Sequence, residues 1–363
     1  MPHTWRLIRT GLTILRKPLV VRTGPIHFQL EPATGCNLLC QTCRVPQTAE
    51  RKVMTLDQFR QAFDQIRPLK VGLSGSGEPF FNRDMLEIIR YAQRRGAAVL
   101  TTTNFTMCHN MLEDLVDSGL VLLKVSLDAA TAPTYLRIRG KDFFQRILDD
   151  IRALQAIKAR RGSRTPFLRL QFVIQRDNLG EIAAFAELAA SLGANSVYYQ
   201  PLDSILVPEG KDLATGVTTE RLITGLRAAQ QYARAAHIGT NARLLLRHLP
   251  DYYRKYQVVP DKPPARVCLL PWFSVYITVD GDVRPCCSFR ETETLVMGNL
   301  FTEPFTRIWN NEKYQAFRRA ARERKLLYEV CRNCIPNRLR DFVGLSAVLP
   351  GFFWAGATAD ADS

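Results

Sequence analysis

IHFQLEPATGCNLLCQTC, residues 26–43, decides the reading of this chain. A short apolar run ends at Glu31, a Pro- and Gly-containing turn follows, and Cys36, Cys40 and Cys43 then stand in the pattern CxxxCxxC. The run reads as a buried strand and the cysteines as the loop at its carboxyl end. Of nine cysteines, five more, Cys268, Cys286, Cys287, Cys331 and Cys334, fall in the last hundred residues, and Cys108 stands alone between the groups. In the N-terminal stretch WRLIRTGLTILRKPLVV, Arg16 and Lys17 interrupt the apolar part and no small-residue cleavage site follows, so no signal peptide is expected. Without secretion, clustered thiols argue for metal rather than disulfides, and these spacings suit zinc or iron–sulfur. The first group separates the two, because a closed structural zinc takes four ligands whereas three cysteines on an iron–sulfur cube leave one iron open.

Outward from this stretch, strand-like and helix-like runs alternate. Residues 26–31, 69–74, 97–103, 120–127, 167–174 and 195–200 read as six buried strands. Between them lie amphipathic helices: one opens on Thr55 and Gln58 in capping-box spacing, and others end before Gly96 and Gly193. Strand and helix repeated in this way imply a parallel sheet with right-handed crossovers, open or curled into a partial barrel, with chemistry at the carboxyl ends of the strands. After Pro201 the alternation is expected to stop. A helix over 220–236 and the proline-rich VVPDKPPARV lead to a second unit at Cys268, with a hairpin turning at Asp280 and Gly281 and a helix over 312–325.

Composition bounds the answer. With 46% hydrophobic and 23% charged residues, the chain is neither disordered nor a polytopic membrane protein. Forty-nine Lys and Arg against 34 Asp and Glu give a net charge of +15, yet no helix-turn-helix or RNA-binding pattern organises it, so no specific nucleic-acid partner is expected. Leu7, Ile8, Gly11, Leu12 and Leu15 form a helical stripe opposite Arg6, Arg9 and Arg16. Docking of this stripe onto the protein's own barrel is the expectation, and peripheral contact of a cytoplasmic protein with a membrane surface is the alternative. FVGLSAVLPGFFWAG, residues 342–356, is uncharged but broken by Pro350 and glycines, a tail that covers a site or touches lipid rather than a spanning helix.

GCNLLCQTC after a first strand resembles the cluster loop of the radical S-adenosylmethionine (SAM) superfamily, whose three cysteines hold a [4Fe-4S] cluster and whose open iron is chelated by SAM. Ser76, Gly77, Glu78 and Pro79 after strand two resemble that family's GGEP segment, with Ser76 in place of the first glycine. The resemblance implies SAM contacts at these four residues, with Glu78 accepting from the SAM ammonium, at Asn104 after strand three, and at Ser126 and Asp128 after strand four. It also implies Arg139 as the partner of the SAM carboxylate. It covers residues 26 to 201 and implies an α/β fold with a partial (β/α)6 TIM-like barrel.

CLLPWFSVYITVDGDVRPCC, in which twelve residues separate Cys268 from Gly281 and four more precede Cys286, resembles the start of a SPASM or twitch extension. No cysteine follows Cys334, which favours a twitch-like α+β unit with one auxiliary [4Fe-4S] cluster on Cys268, Cys286, Cys331 and Cys334. Cys287 is the alternative to Cys286, and zinc the alternative metal. The expected parts are a basic segment 1–25, a barrel 26–201, a helical connection 202–267, a cluster domain 268–336 and an apolar tail 337–363. The resemblance implies a radical SAM enzyme that generates a 5′-deoxyadenosyl radical and abstracts hydrogen, served by a reductant such as flavodoxin or ferredoxin. The auxiliary cluster favours net oxidation of a small molecule (a cyclitol, sugar or nucleotide) or a lipid-linked one. A peptide-modifying enzyme, a methyltransferase, a lyase and a non-catalytic zinc protein are the alternatives. Tyr198, Tyr199 and Gln200 are candidates to face substrate, Cys108 reads as a buried small hydrophobe, and no residue stands out for proton transfer.

Overall fold

The computed structural model describes residues 3–43, 51–202, 212–253, 256, 267–289, 295–325, 328–332 and 334. The chain opens with α1 (His3–Arg16), β1 (His27–Leu30), α2 (Leu56–Ile66), β2 (Lys70–Leu73), α3 (Met85–Arg94) and β3 (Ala98–Thr103). It continues through α4 (Leu112–Asp117), β4 (Leu122–Ser126), α5 (Ala132–Arg139), α6 (Phe144–Arg160), β5 (Phe167–Ile174), α7 (Ile182–Ser191) and β6 (Ser196–Pro201). Then come α8 (Thr219–Ala235), β7 (Gly239–Thr240), α9 (Ala242–Arg247) and α10 (Leu249–Tyr253). It closes with β8 (Ser274–Ile277), β9 (Asp282–Arg284), β10 (Gly298–Asn299), α11 (Phe305–Ile308), α12 (Glu312–Glu323) and α13 (Glu329–Arg332). Two compact units result, one of Met1–Gly35, Thr48–Thr101 and Asp261–Pro350, the other of Cys36–Gln47, Thr102–Pro260 and Gly351–Ser363.

In the first unit the strand order is β10-β9-β8-β1-β2-β3. β1 is central, pairing in parallel with β2 on one side and with β8 on the other. Phe28 and Leu30 point to one face of β1, where Phe28 stacks on Phe59 of α2 at 6.4 Å and Tyr91 of α3 meets Phe59 edge-on at 6.1 Å. Fully burying such side chains stabilises by about 2 kcal/mol each, which is what holds α2 and α3 on the sheet. The Thr55 capping box forms as the sequence predicts. The hairpin of β8 and β9 turns at Gly281 and pairs antiparallel, also as predicted.

The second unit has the order β4-β5-β6-β7. Leu168, Leu170, Phe172 and Ile174 of β5 are buried on the helix-covered face, where Phe172 meets Phe185 of α7 at 4.7 Å and Tyr199 donates its hydroxyl hydrogen to Ile182 O at 2.7 Å. Tyr199 therefore belongs to the core, and so does Cys108, which is fully buried. The other face of the sheet carries Lys124 beside Arg169 and Ser126 beside Gln171, with Tyr198 next in that row.

Two features depart from the sequence reading. The alternation does not stop at Pro201: α8 returns to β7, which pairs in parallel with β6, and its two residues are too short to show a strand period. The segment expected as a separate C-terminal domain contributes β8 to the sheet of β1, so the span 26–201 is divided between the units. The expected tail 342–356 lies outside the described residues, and no described helix is long and apolar enough to cross a membrane.

Residues 18–23 form a strap fastened by the C-terminal elements. Trp272 Nε1 donates to Pro18 O (2.8 Å), Arg318 Nη1 to Leu19 O (2.9 Å), Asn310 Nδ2 to Val21 O (2.9 Å) and Trp309 Nε1 to Thr23 O (3.0 Å). Arg318 is wholly buried, its guanidinium 4.5 Å from the Trp309 ring centroid, and burial lowers its pKa to about 10. Its hydrogen bonds to Pro271 O, Leu19 O and Asn310 Oδ1 make it the knot of the strap. Arg318→Met keeps the stem but leaves these acceptors unmet, and we expect a loss of about 3 kcal/mol in urea unfolding.

Candidate active site and cluster ligands

The three cysteines of the first group lie in the second unit, all as free thiols, with Cys36 and Cys40 half-buried and Cys43 exposed. Their loop rests on the C-terminal end of α5: Leu39 N donates to Arg139 O at 3.0 Å and Gln41 N to Ile138 O at 3.0 Å. Gly140 permits this approach, because its φ is +74° and a Cβ there would meet the Leu39 Cβ at 2.6 Å. Gln41 Nε2 is also held by Asp177 Oδ2 at 2.9 Å.

Two side chains reach the sulfurs. Asn104 Nδ2 donates to Cys36 Sγ at 3.4 Å and to Asn37 Oδ1 at 3.0 Å, while Asn104 Oδ1 accepts from Thr106. Arg139 Nη1 donates to Cys40 Sγ at 3.5 Å, and Arg139 Nη2 lies 2.7 Å from Asp128 Oδ2. Burial alone would depress the Arg139 guanidinium, but Asp128, then Cys40 and Tyr135, outweigh it and raise its pKa, so it stays charged. Burial raises the Asp128 carboxyl against the pull of Arg139 and the Val173 N–H. Arg139 Nε is buried with no hydrogen-bond partner, a donor left over beside the cysteine loop. The donor set fits a cluster on Cys36, Cys40 and Cys43.

The structure also shows which of the expected SAM contacts are engaged within the chain. Asp128 Oδ1 accepts from Val173 N at 2.8 Å and Oδ2 faces Arg139, so both carboxylate oxygens serve the loop's own architecture. Asp128 sits at φ +61°, held there by Asn178 Nδ2 on its carbonyl. Arg139 is likewise committed to Asp128 and Cys40. Ser126 lies half-exposed on the open face of β4.

The segment Ser76 to Pro79 belongs to the first unit. A Cβ at Gly77 would meet Ala33 O at 2.5 Å and Gly35 O at 2.6 Å, so this glycine is required by the chain's own backbone rather than by a ligand alone. Glu78 N donates to Gly35 O at 2.9 Å, Glu78 Oε1 caps Phe80 N at 3.2 Å, and Pro79 opens the short 3₁₀ turn that follows. Sequence reasoning missed Glu31. This buried carboxylate accepts from Ser76 N (2.5 Å), Tyr276 Oη (3.4 Å) and Val279 N (3.4 Å), tying the Ser76 loop to β8. Its signal was an acid ending an otherwise apolar strand.

Cys268, Cys286, Cys287, Cys331 and Cys334 gather in the first unit. Burial pushes Cys268 up to about 12, and the charges of Cys334, Cys331 and Cys287 add to it. Burial also raises Cys286, followed by Cys287, Cys268 and Cys334, and it pushes Cys331 up to about 12 with Cys334 adding. Such mutual influence requires the thiols to share one neighbourhood, and a cation or cluster relieves it. The Tyr314 hydroxyl is buried with no hydrogen-bond partner among the described residues and lies within electrostatic reach of Cys286, so it lacks an acceptor such as a cluster sulfide. Among the described residues no three His, Cys, Asp or Glu side chains converge to hold a single metal ion.

Residues 30–189 match the family model described as the radical SAM superfamily, and residues 268–335 match the SPASM iron-sulfur cluster-binding domain. The chain belongs to the radical SAM superfamily and carries a SPASM domain. It is thus an enzyme whose first matched segment binds a [4Fe-4S] cluster and SAM and whose second binds auxiliary iron–sulfur. An AdoMet-dependent heme synthase of Methanosarcina barkeri is 29% identical over 318 residues, covering 81% of this chain and 84% of the relative. A PqqA peptide cyclase of Streptomyces rochei is 27% identical over 331 residues, covering 88% and 84%. Among solved structures, SuiB of Streptococcus suis bound to the precursor peptide SuiA superposes with a TM-score of 0.64 at 14% identity, covering 86% of this chain and 70% of that one. The fold is thereby the α/β partial barrel that the sequence predicts, followed by a SPASM unit.

Glu31→Gln keeps size and removes the charge that the Ser76 loop leans on. KM for SAM is expected to rise about tenfold, equivalent to about 1.4 kcal/mol, with iron content and maximal cleavage rate little changed. Unchanged KM would reduce Glu31 to a packing residue.

Proposed function

We propose that the protein is a radical SAM oxidoreductase that abstracts hydrogen from a small or lipid-linked substrate bearing an acidic group, and passes the resulting electron to one auxiliary [4Fe-4S] cluster. The observation that carries this reading is the pair of cysteine sets, three residues in one and four or five in the other. When bound, the three-cysteine cluster supplies the electron that cleaves SAM to methionine and a 5′-deoxyadenosyl radical, which takes a hydrogen atom from substrate. Asn104 and Arg139 hold Cys36 and Cys40 in place through hydrogen bonds to their sulfurs. Glu78 and Ser126 are the side chains assigned to SAM, with Asp128 and Arg139 positioning the loops around them. Cys268, Cys286, Cys331 and Cys334 are the proposed ligands of the auxiliary cluster, and four protein ligands leave it no open iron for substrate. Electron transfer is then its role, and an external reductant serves the first cluster.

The acidic group is argued from Arg169. It lies on the face of the second sheet turned away from the helices, and its Nε donates to Ser196 Oγ at 3.1 Å. Its guanidinium is 5.6 Å from the Tyr198 ring, and no carboxylate partners it among the described residues. Burial lowers its pKa, so an anion that shares this face gains a desolvated cation with Lys124 directly beside it in register. Of the relatives, one is named a heme synthase and one a PqqA peptide cyclase, which gives both a small-molecule and a peptide substrate a named precedent.

Anaerobic reconstitution tests the cluster reading: wild type should hold about eight irons and the Cys36, Cys40 and Cys43 triple-Ala variant about four, with 5′-deoxyadenosine formed under dithionite by wild type only. Deoxyadenosine from the variant would overturn the proposal. Arg169→Met is expected to retain uncoupled SAM cleavage while losing about tenfold or more in coupled turnover of an acidic substrate.

A further inference from the structure

Nine large apolar side chains are exposed among the described residues, and Trp5, Ile8, Leu12 and Leu15 of α1, at 51, 50, 45 and 72% exposure, are four of them. Val20 just beyond the helix, at 52%, is a fifth. Steps of three, four and three residues place the four on about 80° of the helix circumference, one continuous stripe. On the opposite side Thr10 and Ile14 are buried, at 2% and 4%, and Arg6 donates to Arg67 O and Pro25 O. The helix therefore docks by a mixed polar edge and turns its apolar stripe outward, the reverse of an ordinary surface helix and of the docking expected from the sequence.

Charge selects what meets the stripe. Arg9 and Arg16 fall at its border by helical spacing. An apolar stripe needs only an apolar partner, but a stripe bordered by two arginines matches an interface that is apolar within and anionic at its rim.

We propose that the outward face of α1 is a docking surface for an anionic phospholipid bilayer, the stripe entering the acyl boundary and the bordering Arg9 and Arg16 meeting headgroup phosphates. The net charge of +15 draws the whole protein to the same surface.

Flotation of the reconstituted full-length protein with vesicles of phosphatidylcholine, alone or mixed with phosphatidylglycerol, tests this. Wild type should float with the mixed vesicles and not with phosphatidylcholine alone, and high salt should release it. Leu12→Glu with Leu15→Glu should cut bound protein about tenfold or more without lowering the melting temperature, since both side chains are exposed. Arg9→Glu with Arg16→Glu should abolish the preference for phosphatidylglycerol. Absence of wild-type flotation, or equal flotation of the leucine variant, overturns the proposal. So does a wild-type dimer that the leucine substitutions convert to monomer, because the stripe would then be a self-association face.

Discussion

The parallel pairing of β1 with two partners from opposite ends of the chain is the constraint on which the first unit depends. β2 lies on one side in near sequence and β8 on the other, and the carboxyl end of β1 delivers Glu31. One carboxylate there satisfies a backbone N–H of the Ser76 loop, a tyrosine hydroxyl of β8 and a backbone N–H just beyond β8. An unpaired buried carboxylate is costly, and Glu31 is retained because three donors converge on it. The loop assigned to SAM is thus fixed through the strand that belongs to the SPASM region.

The second unit solves a different problem, that of keeping cysteines ready for iron. Asn104 and Arg139 meet this with donors aimed at sulfur, and Asp128 and Tyr135 keep Arg139 charged despite its burial. Asp128 itself sits in a left-handed backbone conformation that costs energy for a residue with a Cβ. Its carbonyl, both carboxylate oxygens and neighbouring Asn178 hold it there. The arrangement places a charged network where the chemistry needs it, and the strain at Asp128 is the visible cost.

Much of this was legible in the sequence. The six strands appear within a residue or two of their expected positions because each is bounded by turn residues and packs one face into the core. The cysteine triplet was legible because its spacing is specific. The ion pair between Asp128 and Arg139 was not, because a contact with a bound molecule and a contact between two residues have the same one-dimensional signature. Gly77 was identified for the right freedom, but its neighbour proves to be the Ala33 and Gly35 carbonyls. The outward face of α1 was missed because periodicity shows that a stripe exists and not which side of the helix docks. β7 was missed for its length, and the placement of β8 beside β1 for its distance along the chain.

That distance has a consequence for how the protein is made. His27 and Ser274 lie 247 positions apart and are hydrogen-bonded neighbours in the finished sheet. The strap at 18–23 likewise waits for Trp272, Trp309 and Arg318. On the ribosome, β1 emerges long before β8 and keeps one edge open until that strand follows it. Synthesis order and assembly order therefore run against each other, and a strand made before β8 is sealed only once β8 exists.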